Sequence, residues 1–290
     1  MPTFTALTTL DGEDPARALA GALERMVPEP YGVGIFDIED GSGRWEVGAY
    51  FHDQPDGVIL EILAAAFGAN SFAVSEVPEA DWVAKVQREL HPVDAGRFFV
   101  YGSHDRDRVP EGRVALEIEA AMAFGTGHHN TTLGCLLAFD RLLTAGWRPG
   151  RVADIGCGTA VLAMAAAATL PEALVIASDI DRVAVDVAQA NVSINGLEGR
   201  VECLEAAGLD HDRIRTAGPW DLIFANILKG PLIELAPHIA AGLATGGRAI
   251  LSGLLSVQAD SVVAAYVASG LTLNSRDDIG EWSTLVLQKS

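Results

Sequence analysis

The chain has 290 residues, 49% of them apolar and 20% charged, which suits a globular protein of two domains at ~150 residues each. That composition excludes a disordered chain, a collagen-like repeat and a disulfide-dense miniprotein. Twenty Lys and Arg against 39 Asp and Glu give a formal charge of −19, which repels nucleic-acid phosphates and anionic membranes and attracts basic partners.

In the first part of the chain, short strand-like and helical runs alternate. Thr3 to Thr9 alternates like a strand, and Pro15 to Met26 has helical periodicity. Val33 to Ile38 and Trp45 to Phe51 read as strands flanking the turn Asp40-Gly41-Ser42-Gly43, a hairpin signal. Val58 to Phe67 is helical and Ser71 to Val77 a strand. The order β-α-β-β-α-β is that of a ferredoxin-like split βαβ module. A helical stretch with Trp82, a strand from Arg97 to Tyr101 and a charged loop from His104 to Glu111 follow. The loop's Asp, Arg, Pro and Gly residues make it a linker, so the expected division is 1–112 and 113–290.

From Val114 onward the alternation lengthens. Strands are expected at Val152 to Ile155, Leu174 to Ser178, Arg200 to Leu204, Asp221 to Ala225 and Arg248 to Ser252. Helices are expected at Ala160 to Thr169, Arg182 to Ile194, Pro231 to Leu243 and Ser256 to Ala268. This pattern predicts an α/β domain with a parallel sheet covered on both faces. Leu271 to Asp277 and Ser283 to Gln288, with no helix between them, predict an antiparallel edge pair. The alanine-rich stretch Val161 to Ala168 is far shorter than the ~20 apolar residues of a membrane span. The first residues carry Asp and Glu where a signal peptide has a basic segment. Cys135, Cys157 and Cys203 are widely spaced and form no CxxC pair, as expected of reduced thiols in a cytoplasmic protein.

Three strand ends carry the chemistry. Asp154-Ile155-Gly156-Cys157-Gly158 leads from a strand through a glycine turn into a helix. Gly156 allows the tight turn, and Gly158 lacks a Cβ where a ligand approaches the backbone. Val161 stands where a dinucleotide fingerprint has its last glycine, which disfavours NAD and FAD. About 20 residues on, Asp179 is placed to accept both hydroxyls of a ribose, with Asp181 as the N-cap of the next helix. Alternatively, Asp179 serves only the helix entry. Asn226 ends the strand Asp221 to Ala225 on the same rim, where its carbonyl oxygen could orient an amine, or it simply forms a turn. The pair His128-His129 has no carboxylate or Cys at ligand spacing, so no metal site is expected.

The order D-x-G-x-G, D-x-D, D-x-x-x-A-N-I-L, G-G-R and final hairpin resembles class I S-adenosylmethionine methyltransferases. Ala123-Phe124-Gly125-Thr126-Gly127-His128-His129-Asn130-Thr131-Thr132, with Asn226-Ile227-Leu228 and Gly280-Glu281-Trp282, is similar to the ribosomal protein L eleven methyltransferase (PrmA) family. The similarity is good from about Ala120 onward and looser before it, through Asp81-Trp82 and His91-Pro92 to Gly96-Arg97.

The resemblance implies a Rossmann-like catalytic domain behind a ferredoxin-like substrate-recognition domain. It assigns contacts with S-adenosylmethionine to Thr132, Gly156, Gly158, Asp179 and Asn226, and makes Asn226 the candidate for orienting the acceptor amine. It gives Gly125 and Gly127 to a loop that closes over cofactor and substrate. The implied acceptors are lysine side chains and the N-terminal α-amine of the basic stalk-base ribosomal protein. Residues up to Gly112 hold 20 acids and 8 bases, which suits such a partner. The sequence departs from the family at Ala160, where a third glycine is usual, and at Asn130, where Pro or Glu is usual. The competing readings are a methyltransferase acting on another protein or on a small molecule, and a cofactor-binding assembly factor without turnover.

Overall fold

A computed structural model describes residues 3–30, 32–38, 43–77, 92–118 and 129–290. Most of the expected turn at Asp40, the Trp82 helix, Asp81-Trp82, His91 and the stretch Ala123 to His128, with Gly125 and Gly127, lie outside these residues. The chain forms two compact units, Met1–Glu89 and Leu90–Ser290.

The first unit runs β1 (Thr3–Asp11), α1 (Glu13–Leu23), β2 (Gly32–Asp37), β3 (Arg44–Phe51), α2 (Gly57–Phe67) and β4 (Ala73–Val77). Its antiparallel sheet has the order β2-β3-β1-β4. Every second residue of β1 and β3, including Ala6, Leu10, Val47, Ala49 and Phe51, packs with Leu19 and Leu23 of α1 and Leu60 of α2. The Asp56 carboxylate caps α2 by accepting from the Val58 N–H at 2.8 Å. The helix ends at Gly68 in the left-handed conformation.

In the second unit, β5 (Val93–Ala95), β6 (Phe98–Tyr101) and β7 (Val114–Glu117) form a small sheet that precedes α3 (His129–Thr144). The expected division near Gly112 therefore falls late. The apolar side chains of this sheet are buried with the second unit, where Phe98 stacks on Phe139 of α3 at 5.8 Å and Arg97 pairs with Asp140. Then follow β8 (Arg151–Ile155), α4 (Val161–Thr169), β9 (Leu174–Asp179), α5 (Arg182–Ile194), β10 (Val201–Glu205), α6 (Asp212–Ala217), β11 (Trp220–Asn226), α7 (Lys229–Gly242), β12 (Leu243–Leu255), α8 (Ala259–Ala268), β13 (Leu271–Ile279) and β14 (Trp282–Lys289).

These strands form one sheet of order β10-β9-β8-β11-β12-β14-β13, parallel from β10 to β12, with β14 antiparallel to both of its neighbours, β12 and β13. Both faces are apolar, as burial on two sides requires. Val152, Val175, Ala177, Leu222, Phe224 and Ile250 face α3, α4 and α5. Their neighbours Ala153, Ile176, Ile223, Ala225, Ala249 and Leu251 face α6, α7 and α8. The alanine-rich α4 is buried all round from Val161 to Ala167 because it lies between the large sheet and β7. Among the described residues, no helix is long and apolar enough to cross a membrane.

Candidate active site

The strand order reverses between β8 and β11, and an open sheet leaves a crevice beyond the carboxyl ends of its strands at such a point. A cleft of about 690 Å³ opens there, bounded by the ends of β8, β9 and β11, the start of α3 and the first turns of α7. Thr132, Gly156, Gly158, Asp179 and Asn226, singled out on four separate segments, all line it.

The two glycines differ in what they do. Gly156 turns the chain at φ 65°, and a Cβ on it would lie 2.3 Å from Cγ2 of Ile227. Its hydrogen is therefore required by the residue after Asn226. On the far side of Ile227, a Cβ on Gly253 of β12 would lie 2.4 Å from the Ile227 carbonyl oxygen. Ile227 is thus seated between two glycines, and Asn226 is held with it. Gly158, at φ 52°, has open space at its Cβ position, which leaves its backbone approachable from the cleft. Ala160 is the one described residue other than glycine at positive φ, 60°. That backbone costs an alanine ~1 kcal/mol or more.

Asp179 is fixed by its neighbours. One carboxylate oxygen accepts the Gly158 N–H at 2.9 Å and the other accepts the Asp181 N–H at 3.1 Å. Each oxygen keeps a lone pair, and together they can take two vicinal hydroxyls. Asp181 caps α5 as expected, accepting from Val183 N–H at 2.9 Å. The Asn226 carbonyl oxygen is buried and has no hydrogen-bond partner among the described residues. An unpaired buried acceptor costs free energy unless an incoming donor meets it. Thr132, in the first turn of α3, is 3% exposed at the cleft wall.

Sequence reasoning passed over Asp154 as a functional residue. It projects from β8 beside Phe224 of β11 and Ala177 of β9, and is 1% exposed. Its carboxylate accepts the Ala163 N–H at 3.0 Å, supplying the first turn of α4 with an acceptor that Ala160 cannot offer. Burial pushes its carboxyl up to about 7, against the opposing pull of the Ala163 bond, with the nearby Asp179 charge adding to the rise. The signal in the sequence was a lone acid inside an apolar strand run. Burial also raises the Cys157 thiol, helped by the charges of Asp154 and Asp179, so this cysteine is no ready nucleophile. Two exposed aliphatic residues, Ile180 (73%) and Leu228 (65%), line the cleft as well. They had drawn no functional reading.

The charged side chains lining this cleft are Asp154, Asp179 and Glu234, with no Lys, Arg or His among the described lining residues. Such a donor set disfavours a pyrophosphate and suits a nucleoside that carries positive charge. Its apolar walls, from Ile155, Leu162, Ala206, Ala207 and Leu235, suit a flat ring system.

Comparison with known proteins agrees with this geometry. The family model described as Ribosomal protein L11 methyltransferase (PrmA) matches residues 29–290. A relative of that name from Bradyrhizobium diazoefficiens is 45% identical, covering 99% of this chain and 98% of its own length. One from Caulobacter sp. (strain K31) is 44% identical, with 88% and 87% covered. The crystal structure of a ribosomal protein L11 methylase from Lactobacillus delbrueckii subsp. bulgaricus superposes with a TM-score of 0.60 at 26% identity. It covers 69% of this chain and 99% of that one.

Proposed function

Because this chain belongs to the ribosomal protein L11 methyltransferase family, we propose that it transfers methyl groups from S-adenosylmethionine to amines of ribosomal protein L11, at lysine side chains and the N-terminal α-amine. The observation that carries this reading is the buried carbonyl oxygen of Asn226, unpartnered among the described residues, in a cleft whose described charged lining is wholly acidic. When bound, the sulfonium supplies an electrophilic methyl group. Asp179, held by the Gly158 and Asp181 N–H groups, accepts the ribose hydroxyls. Thr132 and the open backbone at Gly158 bound the cofactor's remaining surface.

The acceptor nitrogen must arrive neutral, whereas a free lysine ionises with a pKa of ~10.4. The apolar walls disfavour the ammonium form, and the proton leaves to water. Asn226 Oδ1 then accepts a hydrogen bond from the remaining N–H and aims the lone pair. The acceleration comes from proximity and orientation, so no side chain is assigned as a base. The first compact unit serves substrate recognition, its acidic balance steering a basic ribosomal protein.

The test is incubation of the purified protein with isotopically labelled S-adenosylmethionine and unmodified large-subunit proteins, followed by mass spectrometry. Label on amines of L11 is expected. Label only on another protein would discard the substrate, and none at all would discard the activity. Asn226→Ala should lower turnover by roughly 100-fold while leaving the melting temperature and most cofactor affinity in place; unchanged turnover would remove its role.

A further inference from the structure

We propose that Glu234 receives the protonated acceptor amine at the mouth of the cleft and so selects cationic amines over neutral nucleophiles. The inference rests on the methyl-transfer reading above and adds to it a substrate-contacting residue. The helix α7 begins three residues after Asn226, and Pro231, Glu234 and Leu235 share one of its faces at i, i+3 and i+4. All three line the cleft, with Leu228 ahead of them. Leu235 presses on the opposite wall, since a Cβ on Gly208 would lie 2.6 Å from its Cδ2. That contact packs the face of α7 that carries Glu234 against the cleft.

The three carboxylates of the cleft differ in how far they are committed. Asp154 is spent on the Ala163 N–H, and Asp179 on two backbone N–H groups. Glu234 is exposed, and no hydrogen bond or ion pair engages it among the described residues. Elsewhere in this unit, acids such as Asp140, Glu117, Glu202 and Asp278 are paired with arginines. Among the described lining residues, the cleft therefore keeps one carboxylate without a partner, at an exposed position. An ammonium group entering from solvent meets that charge first. An exposed pair of this kind is weak and fully reversible, which suits capture and orientation ahead of proton loss.

The experiment compares wild type, Glu234→Gln and Glu234→Asp as full-length proteins, measuring kcat and KM for ribosomal protein L11 and the Kd for S-adenosylmethionine. At low ionic strength Glu234→Gln should raise KM roughly three- to tenfold with kcat within about twofold and the cofactor Kd unchanged. Glu234→Asp should restore most of the loss, and about 0.5 M salt should erase the difference. An active wild type with an identical KM in Glu234→Gln overturns the inference alone, as does a fall confined to kcat. A wild type that methylates no amine overturns the reading of the site, and the inference falls with it.

Discussion

Replacing Asp154 by Asn should stabilise the protein at alkaline pH and leave it unchanged in acid. In the unfolded chain this carboxyl ionises near its ordinary value of 3.8, whereas in the fold it holds its proton until about 7. Between those values the native state binds one proton more than the unfolded state, so stability falls as pH rises through this window and is flat above it. The displacement is roughly three pH units at about 1.4 kcal/mol each, or on the order of 4 kcal/mol as an upper value. Asparagine keeps an acceptor for the Ala163 N–H and cannot ionise. Thermal unfolding of both proteins from pH 4 to 8.5 should therefore show coincident midpoints near pH 4. By pH 8 the variant should lead by at most roughly 8–16 °C, at about 2–4 °C per kcal/mol for a unit of this size. A difference that stays constant across the range would refute the argument. The same carboxyl lines the cleft proposed to hold the cationic cofactor, so wild-type affinity for S-adenosylmethionine should rise from pH 6 to 8 and that of the variant should not.

In the proposed site Asp179 is the acceptor for two ribose hydroxyls, so Asp179→Ala should weaken binding of S-adenosylmethionine by roughly 10- to 100-fold in a calorimetric titration; unaltered affinity would take Asp179 out of the cofactor site. Ala160→Gly relieves the left-handed backbone at φ 60°. The gain of ~1 kcal/mol or more is offset in part by the looser unfolded chain, so a rise in melting temperature of roughly 1–3 °C is expected. A clear fall would show that the methyl group of Ala160, 0% exposed, matters more as packing than as strain.

Local pattern disclosed the large sheet because a strand buried on both faces is a short continuous apolar run, as at Val152 to Ile155 and Asp221 to Ala225. The same reasoning passed over β5 and β7, which are three and four residues long and too short to show a period. It also divided the chain late, since what assigns Phe98 and Leu116 to the second unit is their packing with Phe139 and the buried α4, partners distant in sequence. At the site, Gly156, Asp179 and Asn226 were readable because each ends a strand on one rim. Glu234 was not, because only the fold brings the first turns of α7 to the cleft beside Gly208. Asp154 stood in plain view within the D-x-G-x-G run, yet only its burial between Ala177 and Phe224 makes its proton unusual.

The seating of Ile227 between Gly156 and Gly253 makes three positions from three strand ends into a single inherited unit. A residue larger than glycine at 156 would press on the Cγ2 methyl of Ile227, the residue next to Asn226. Exchange of the turn glycine is therefore restrained from the acceptor side of the cleft as well as by its own left-handed backbone, and exchange at 253 is restrained by the main chain of residue 227 whatever side chain stands there. Randomising 156 alone would select for the parent, and shrinking residue 227 at the same time would remove the clash with Cγ2 while leaving the left-handed φ of 65° in place, so glycine is held at 156 by two separate restraints.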